Sequence, residues 1–317
     1  MMIFNSNGNE VRGSTIRAPN ARICARQEGL PLAGCGNSAI ANKAMRHKTL
    51  GYAWAIAFAL ILACSRVAAA VEQFKIGGTG AGLGTMQRLA DEFMARNPYI
   101  RIIAVPSLGS TGGIKAVVAG AIGLAVTSRP MNESERGRGA VQTDFPRTPF
   151  VFAVSTRSKV LAITSEELVE IYAGTRVTWA DGTPVRIVLR PNSDTDSRII
   201  RNMSSAIAKA LEAASERPGV QFSVNDQDAA DDLERIRGAI GPSSLALIVS
   251  ERRALRALAL DGKEPTPRNA VSGIYPHHKR LFMVTGTKSP SAVRRFVAFV
   301  KSPAGRKLIE GNGQWIP

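Results

Sequence analysis

The chain alternates short apolar runs with stretches whose apolar residues recur every three to four positions. Phe74-Lys75-Ile76 reads as a short strand, and Met86, Leu89, Ala90 and Phe93 then share one helical face that ends at Asn97-Pro98. Ile100–Val105 is the next strand. Ile114, Val117 and Val118 mark a helix, and Leu124-Ala125-Val126 a strand. Pro146–Val154 is a strand-like run after a polar, Arg-rich loop, placed to carry the chain into a second lobe. Thr164-Ser165-Glu166-Glu167 has the spacing of a capping box, and the helix it starts, with Leu168, Ile171 and Tyr172 on one side, stops at Gly174. Trp179 and the turn Asp181-Gly182-Thr183-Pro184 read as structural. Val185–Leu189 predicts a strand, and Ile200, Met203, Ile207 and Leu211 one helix behind it. Val220–Val224 reads as a strand and Asp226–Ile236 as a helix. After the apolar Leu245–Val249, Leu281–Val284 reads as a return strand. Ser291–Val300 predicts a helix, and so does the segment capped by Ser302 with Pro303 in its first turn.

The first seventy residues follow neither rhythm. Residues 1–44 are rich in Asn, Gly, Arg and Ala and read as disordered or as no part of the mature protein. Residues 45–70 have the parts of a secretory signal: the basic Met45-Arg46-His47-Lys48, an apolar run over Leu50–Ala63, and a small-x-small site at Ala68/Ala70. That run is too short for a comfortable membrane span. Ile61-Leu62-Ala63-Cys64 also resembles a bacterial lipoprotein box, so Cys64 is a candidate for a lipid anchor. A mature chain is expected to begin at Val71, in the periplasm.

Removing that leader changes the composition. The whole chain has a net charge of +16, whereas residues 71–317 carry 33 Lys/Arg against 23 Asp/Glu. Cys24, Cys35 and Cys64 all lie upstream of Val71. The remainder therefore has no disulfide, no thiolate nucleophile and no zinc–thiolate site. A basic exported chain meets little nucleic acid; its field attracts small anions or an anionic membrane surface.

Three polar clusters stand at strand ends ahead of helices. The first is Gly77-Gly78-Thr79-Gly80-Ala81-Gly82-Leu83-Gly84-Thr85, which fails the strict dinucleotide fingerprint: the sixth position is Leu83 counted from Gly78 and Thr85 counted from Gly80. The second pairs Ser107-Leu108-Gly109-Ser110-Thr111-Gly112-Gly113 with Thr127-Ser128-Arg129-Pro130, and Ser110 or Thr111 falls where an N-cap belongs. The third is Arg190-Pro191-Asn192-Ser193-Asp194-Thr195-Asp196-Ser197. Unpaired amides at helix starts, with hydroxyls and cations beside them, make a seat for an anion. Two readings of Arg190 stand: a ligand contact, or a surface partner of Asp194 or Asp196. Those aspartates are likewise either helix caps or ligand contacts. The adjacent His277 and His278 point in different directions and do not make a shared metal site.

From Phe74 to Pro317 the chain resembles the substrate-binding protein of the bacterial phosphate ABC importer, a type II periplasmic binding protein. The resemblance rests on GGTGAG, GSTGGIKAVVAG, TSRPM, EELVEIYAGTRVTWADG, Arg190 with DTDS, GAIG, YPHHKRLFMVT and FVKSPAGRKLIEGNGQWIP, in that order. It implies an α/β fold of two lobes, each a mixed sheet flanked by helices, with a ligand cleft between them. Residues 71–150 plus 279–317 would form lobe 1, and 151–278 lobe 2. Carried over by position, the phosphate ligands fall on the amides of Thr79, Gly80 and Ala81, on Ser110, on Arg190 and on Asp194-Thr195-Asp196. The family's proton-accepting aspartate falls on Ser128. Two departures follow: a hydroxyl replaces a carboxylate at Ser128, and carboxylates replace serine and threonine at Asp194 and Asp196. Thr111, Ser128 and Arg129 complete the candidate set.

The expected function is capture of an oxoanion, inorganic phosphate first, for an ABC importer's membrane permease, by a monomer without cofactor, metal or chemistry of its own. Two alternatives stand. One is a degenerate binding-protein-like domain acting through protein contacts in envelope signalling. The other is an anion-handling enzyme, against which count the missing cysteine, metal cluster and histidine near the three clusters. N-terminal sequencing of exported protein is expected to read from Val71, or to find a blocked, lipidated Cys64; residues 1–44 still attached would overturn the leader reading.

Overall fold

β1 (Glu72–Gly78) buries Phe74 and Ile76 and ends at a glycine with φ +117°, a conformation side chains resist. The chain turns there directly into α1 (Gly80–Arg96). β2 (Ile100–Ala104), α2 (Gly109–Val118), β3 (Leu124–Thr127) and the single turn α3 (Glu133–Arg136) follow. A Cβ on Gly78 would lie 1.9 Å from the Val126 carbonyl oxygen, so β1 and β3 approach as closely as glycine allows. The structure, a computed structural model, describes residues 71–317. The expectations for residues 1–44, for the leader over 45–70 and for Cys64 lie outside the described residues.

β4 (Ala140–Ser155) is the longest strand, and it serves two groups of neighbours. After it come β5 (Ala162–Ile163), α4 (Ser165–Ala173), β6 (Arg186–Leu189), α5 (Thr195–Arg201), α6 (Ser205–Glu216), β7 (Gln221–Phe222) and α7 (Asp226–Arg235). β8 (Ala239–Ser244), α8 (Leu245–Ser250), β9 (Leu255–Ala257), β10 (Ala259–Leu260), α9 (Pro267–Val271), β11 (His278–Gly286), α10 (Ser291–Lys301) and α11 (Pro303–Glu310) complete the chain. The strand order is β2-β1-β3-β11-β4-β8-β6-β7, with β9 also on β4 and a separate β10-β5 pair. Ala140–Pro149 of β4 pairs antiparallel with β11, whereas Phe150–Ser155 pairs with β8 and β9. One strand thus joins two half-sheets. The return crossing runs beside it, where the Phe150 amide donates to the His277 carbonyl and the buried Tyr275 hydroxyl to the Phe150 carbonyl.

Both faces of each half-sheet are covered. In the first, Phe74, Met86, Phe93 and Phe296 pack beneath α1 and α10, and Ile114, Val117, Ala125 and Val284 pack beneath α2. In the second, Phe152, Leu168, Ile171 and Leu211 pack on one side, and Val151, Ala153, Leu233 and Leu247 on the other. Trp179 is buried and its indole donates to the Gly238 carbonyl, the structural role expected of it.

Local sequence signals account for most element ends. Thr164 and Glu167 close the capping box of α4, and Gly174 ends that helix at φ +81°. The Ser302 hydroxyl accepts from the Gly305 amide to start α11. Three expectations needed correction. The helix expected through Ile200–Leu211 is broken, because the Ser204 hydroxyl accepts from the Ile207 amide and starts α6 as a separate helix. β4 begins at Ala140, well before the apolar run, since its early residues are held by β11 rather than by burial on both faces. The strand expected over Val220–Val224 shortens to Gln221–Phe222, on the edge of the sheet, where only β6 pairs with it.

Phe296 is fully buried, with ring centroids 6.0 Å from Phe74 and 5.4 Å from Phe93. Phe296→Ala should cost about 3–5 kcal/mol in urea unfolding. The half-buried Phe299→Ala should cost clearly less; equal losses would show that the ring cluster is not the centre of this core.

Candidate functional site

The three polar clusters meet where the half-sheets face each other. Thr79, the N-cap residue of α1, does not cap its own helix. Its hydroxyl donates to Asp226 Oδ2 at 2.9 Å, across to the start of α7. Gly80 lies against the Gln227 side chain, which a Cβ would meet at 2.1 Å, and Ala81 is fully buried behind it. The start of α1 therefore faces a carboxylate and an amide of the second half-sheet.

Ser110 and Ser128 form the next layer. Helix α2 is entered through Leu108, with Gly109 at φ +62° and no side-chain cap, so neither Ser110 nor Thr111 is the N-cap that was expected. The early entry puts Ser110 in the first turn, facing β3. Its Oγ accepts from the Ser128 amide at 2.9 Å and lies 3.1 Å from the Ser128 hydroxyl. Ser128 Oγ donates in turn to Thr195 Oγ1 at 3.1 Å, joining the half-sheets through three hydroxyls. Arg129 is held outside this group. It forms a bidentate pair with Glu135 (2.7 and 2.9 Å) and also donates to the exposed Thr111 hydroxyl.

Arg190 is 3% exposed and belongs to the interior. It donates to the Ser223 carbonyl at 2.6 Å and to Asp194 Oδ2 at 3.0 Å, while its Nε has no hydrogen-bond partner and lies 3.9 Å from Asp196 Oδ2. Asp194 caps α5 through the Asp196 amide, the cap expected of it, and pairs with Arg190. Asp196, 1% exposed, points inward.

Two residues that the sequence reading left out complete the centre. Lys279, 2% exposed on β11, puts its Nζ 2.5 Å from Asp196 Oδ1 and 3.2 Å from Asp226 Oδ1. Lys279 was legible in principle: counted back in twos from Leu281, it falls on the inward face of its strand. Asp226 offered only the ordinary signature of an acidic helix start.

The five charged groups are two cations and three carboxylates, one negative charge in excess when all are ionised. Burial pushes the Asp196 carboxyl up to about 7, with Lys279 pulling the other way and Asp194 and Asp226 adding to the rise. Burial also works against ionised Asp226, but there Lys279 and Arg190 prevail and hold it at about 2. Burial lowers Lys279, yet Asp196 and Asp226 outweigh it and keep the ammonium charged. The cluster thus takes up its missing charge as a proton on Asp196. Beside it a cavity of about 320 Å³ opens along Ser128, Thr195 and Lys279. His278 stacks edge-on to Trp315, and no group of metal-ligating side chains occurs among the described residues.

A family model described as the PBP superfamily domain matches residues 65–304. The chain is 24% identical over 248 residues to the phosphate-binding protein PstS of Borreliella burgdorferi, covering 73% of this chain and 87% of that one. A Clostridium perfringens protein, described as a phosphate ABC transporter substrate-binding protein and solved with phosphate bound, superposes with TM-score 0.64. It is 18% identical, over 78% of this chain and all of that one. A phosphate-binding protein of Stenotrophomonas maltophilia superposes with TM-score 0.57 at 13% identity, over 77% of this chain and 90% of the other. The fold is therefore that of the two-lobed binding proteins, the two half-sheets being its lobes.

Asp196 titrates with a pKa of about 7 against an ordinary value of 3.8. The folded state thus holds a proton that the unfolded state has lost, and this group's contribution to stability falls as pH rises from about 4 to about 7. In thermal melts across that range, Asp196→Asn should remove this component and flatten the profile. An unchanged profile would assign the titration elsewhere.

Proposed function

This chain belongs to the PBP superfamily domain family, and on that footing we propose that it is a solute-binding protein of the cell envelope. It captures an oxoanion, inorganic phosphate first, between its two lobes and presents it to the membrane permease of an ABC importer. That its relatives are phosphate-binding proteins favours phosphate. The observation that carries the reading is local: Arg190 is buried beside the start of α5 with an Nε–H that has no hydrogen-bond partner, and the Ser110–Ser128–Thr195 hydroxyls bring that same helix start against the first lobe. A buried donor without a partner costs about 1–3 kcal/mol, and an anion oxygen would remove that cost. Charge-assisted bonds of roughly 1.5–3 kcal/mol each give such a site ample affinity after ordering costs.

The carboxylates decide which anion. A cluster that already carries three of them repels a further negative charge unless a proton lies between the two. Asp196, near half-protonated at neutral pH, either donates its proton to a ligand oxygen or accepts one from it. Hydrogen phosphate brings such a proton and sulfate does not. Asp196 then supplies from the second lobe the acceptor missing at Ser128, while Asp194 remains a cap and a partner of Arg190.

A second reading has its own observation. Lys279 already holds Asp196 and Asp226, so the chain's own carboxylates satisfy the cations that a solute would need. In that case the domain acts through protein contacts in envelope signalling.

Calorimetry against an oxoanion panel separates the two. Parent protein should bind phosphate with a dissociation constant of about 1 μM or tighter and sulfate far more weakly. Asp196→Asn should narrow that gap chiefly by admitting sulfate, whereas Asp194→Asn should leave it nearly as it was. A parent that binds no oxoanion would decide for the second reading, and an Asp196→Asn variant with the parent's ratio would remove Asp196 from selectivity.

A further inference from the structure

The net positive charge of residues 71–317 resides in one lobe. Residues 71–149 and 279–317, which form the first half-sheet and its helices, carry 17 Lys/Arg against 7 Asp/Glu. Residues 150–278 carry 16 of each. A charge of +10 on one half and none on the other is a field with a direction.

Within the first lobe three free cations stand together at the end away from the solute cleft. The cleft cluster stands at the C-terminal ends of β1 and β3 and at the start of β11. At the opposite ends of these strands lies a cavity of about 510 Å³ with Lys75, Arg138 and Lys288 on its rim, joined by the Thr287 and Ser289 side chains. Its lining includes no Asp or Glu. All three cations are exposed, and none is in an ion pair with a described residue. The cavity walls are fixed rather than loose: the Gly123 amide donates to the Lys75 carbonyl at 2.8 Å, and the Thr287 amide to the Gly139 carbonyl at 2.9 Å. The glycine turns at Gly120 (φ +70°) and Gly139 (φ +81°) leave its mouth open. Arg294 and Arg295 follow in the first turns of α10. Glu72, the acid at the start of β1, is engaged by the Ser291 hydroxyl and Arg295.

We propose that the Lys75–Arg138–Lys288 pole is a docking surface for an anionic lipid bilayer, its cavity receiving the phosphoryl groups of phosphatidylglycerol-type headgroups. Adsorbed this way, the protein is concentrated at the membrane with its solute cleft facing the aqueous side. The charge-neutral second lobe contributes nothing to adsorption, so the contact is oriented rather than diffuse. Each basic residue near an anionic surface contributes about a five-fold gain in affinity, so the three together are expected to contribute roughly 100-fold.

The test is cosedimentation of the full chain with vesicles containing roughly one-third phosphatidylglycerol in phosphatidylcholine, at low and high salt, with pure phosphatidylcholine vesicles alongside. Two charge-matched variants are compared: K75E/R138E/K288E at the pole, and R186E/K209E/R268E on exposed, unpaired cations of the second lobe. The parent should bind the anionic vesicles at low salt and release them at high salt. The pole variant should lose roughly 100-fold in affinity and the second-lobe variant little. Equal losses in the two variants, or parent binding as tight to phosphatidylcholine, would overturn the proposal. Phosphate calorimetry on the pole variant should match the parent, since the cleft lies at the other end of the strands.

Discussion

At the centre of the contact between the lobes stands a buried ammonium group. Lys279 extends from β11, in the first lobe, to Asp196 and Asp226 of the second, and all three side chains are almost completely enclosed. Burying these charges is expensive, and removing one partner from such a group typically costs about 3–5 kcal/mol, because the remaining charge is stranded. The contact is therefore weak grounds for net stability and strong grounds for a fixed relation between the lobes. With Lys279 in place, α7 is pinned against the start of α1, α5 against β3, and Arg190 is enclosed among the three aspartates.

The placement of the carboxylates follows from the helices that carry them. Asp194 and Asp196 open α5, and Asp226 opens α7, positions where unpaired amides and the helix field favour negative charge. The same field at the start of α1 favours an acceptor beyond Thr79, and Asp226 of the other lobe supplies it. Thus the helix starts that on the proposed reading take an external anion are lined in part by internal ones. Burial raises Asp196 first and the neighbouring carboxylates add to it, so that one proton neutralises the group at its most deeply buried carboxyl.

The secondary structure was largely legible, and the reason is local. Thr164–Glu167, Gly174 and Ser302 encode element ends in a few adjacent residues, and Met86, Leu89 and Phe93 encode a face by spacing alone. Ser204 hid inside an apolar period that runs on through it, so the break between α5 and α6 was invisible to periodicity. Ser110, Ser128 and Thr195 were singled out by residue type at strand ends, and their meeting needed only the fold. Arg129 belonged to the same type and was drawn away by Glu135, a partner six residues on that no strand-end pattern registers. Lys279 was missed for the converse reason: strand alternation places it inward and Arg280 outward, but its role comes from carboxylates 53 and 83 residues away in sequence.

On the proposed reading, moving the proton acceptor from the Ser128 position to Asp196 changes when selection happens. An acceptor on β3 would stay beside Ser110 and the α1 amides whether or not the lobes are together. Asp196 stands on α5, in the opposite lobe, and comes next to the ligand position only when Ser128 and Thr195 are in contact. An anion resting on the first lobe alone would meet hydroxyls and amides, with no carboxylate to discriminate. Discrimination begins at closure, when a fully ionised anion is brought against Asp196 and the lobes part again. An anion carrying a proton satisfies the carboxyl and lets Lys279 complete its pairs. The ion cluster that fixes the lobes and the group that reads the ligand are then one set of atoms, which ties the stability of the closed form directly to the protonation of what it holds.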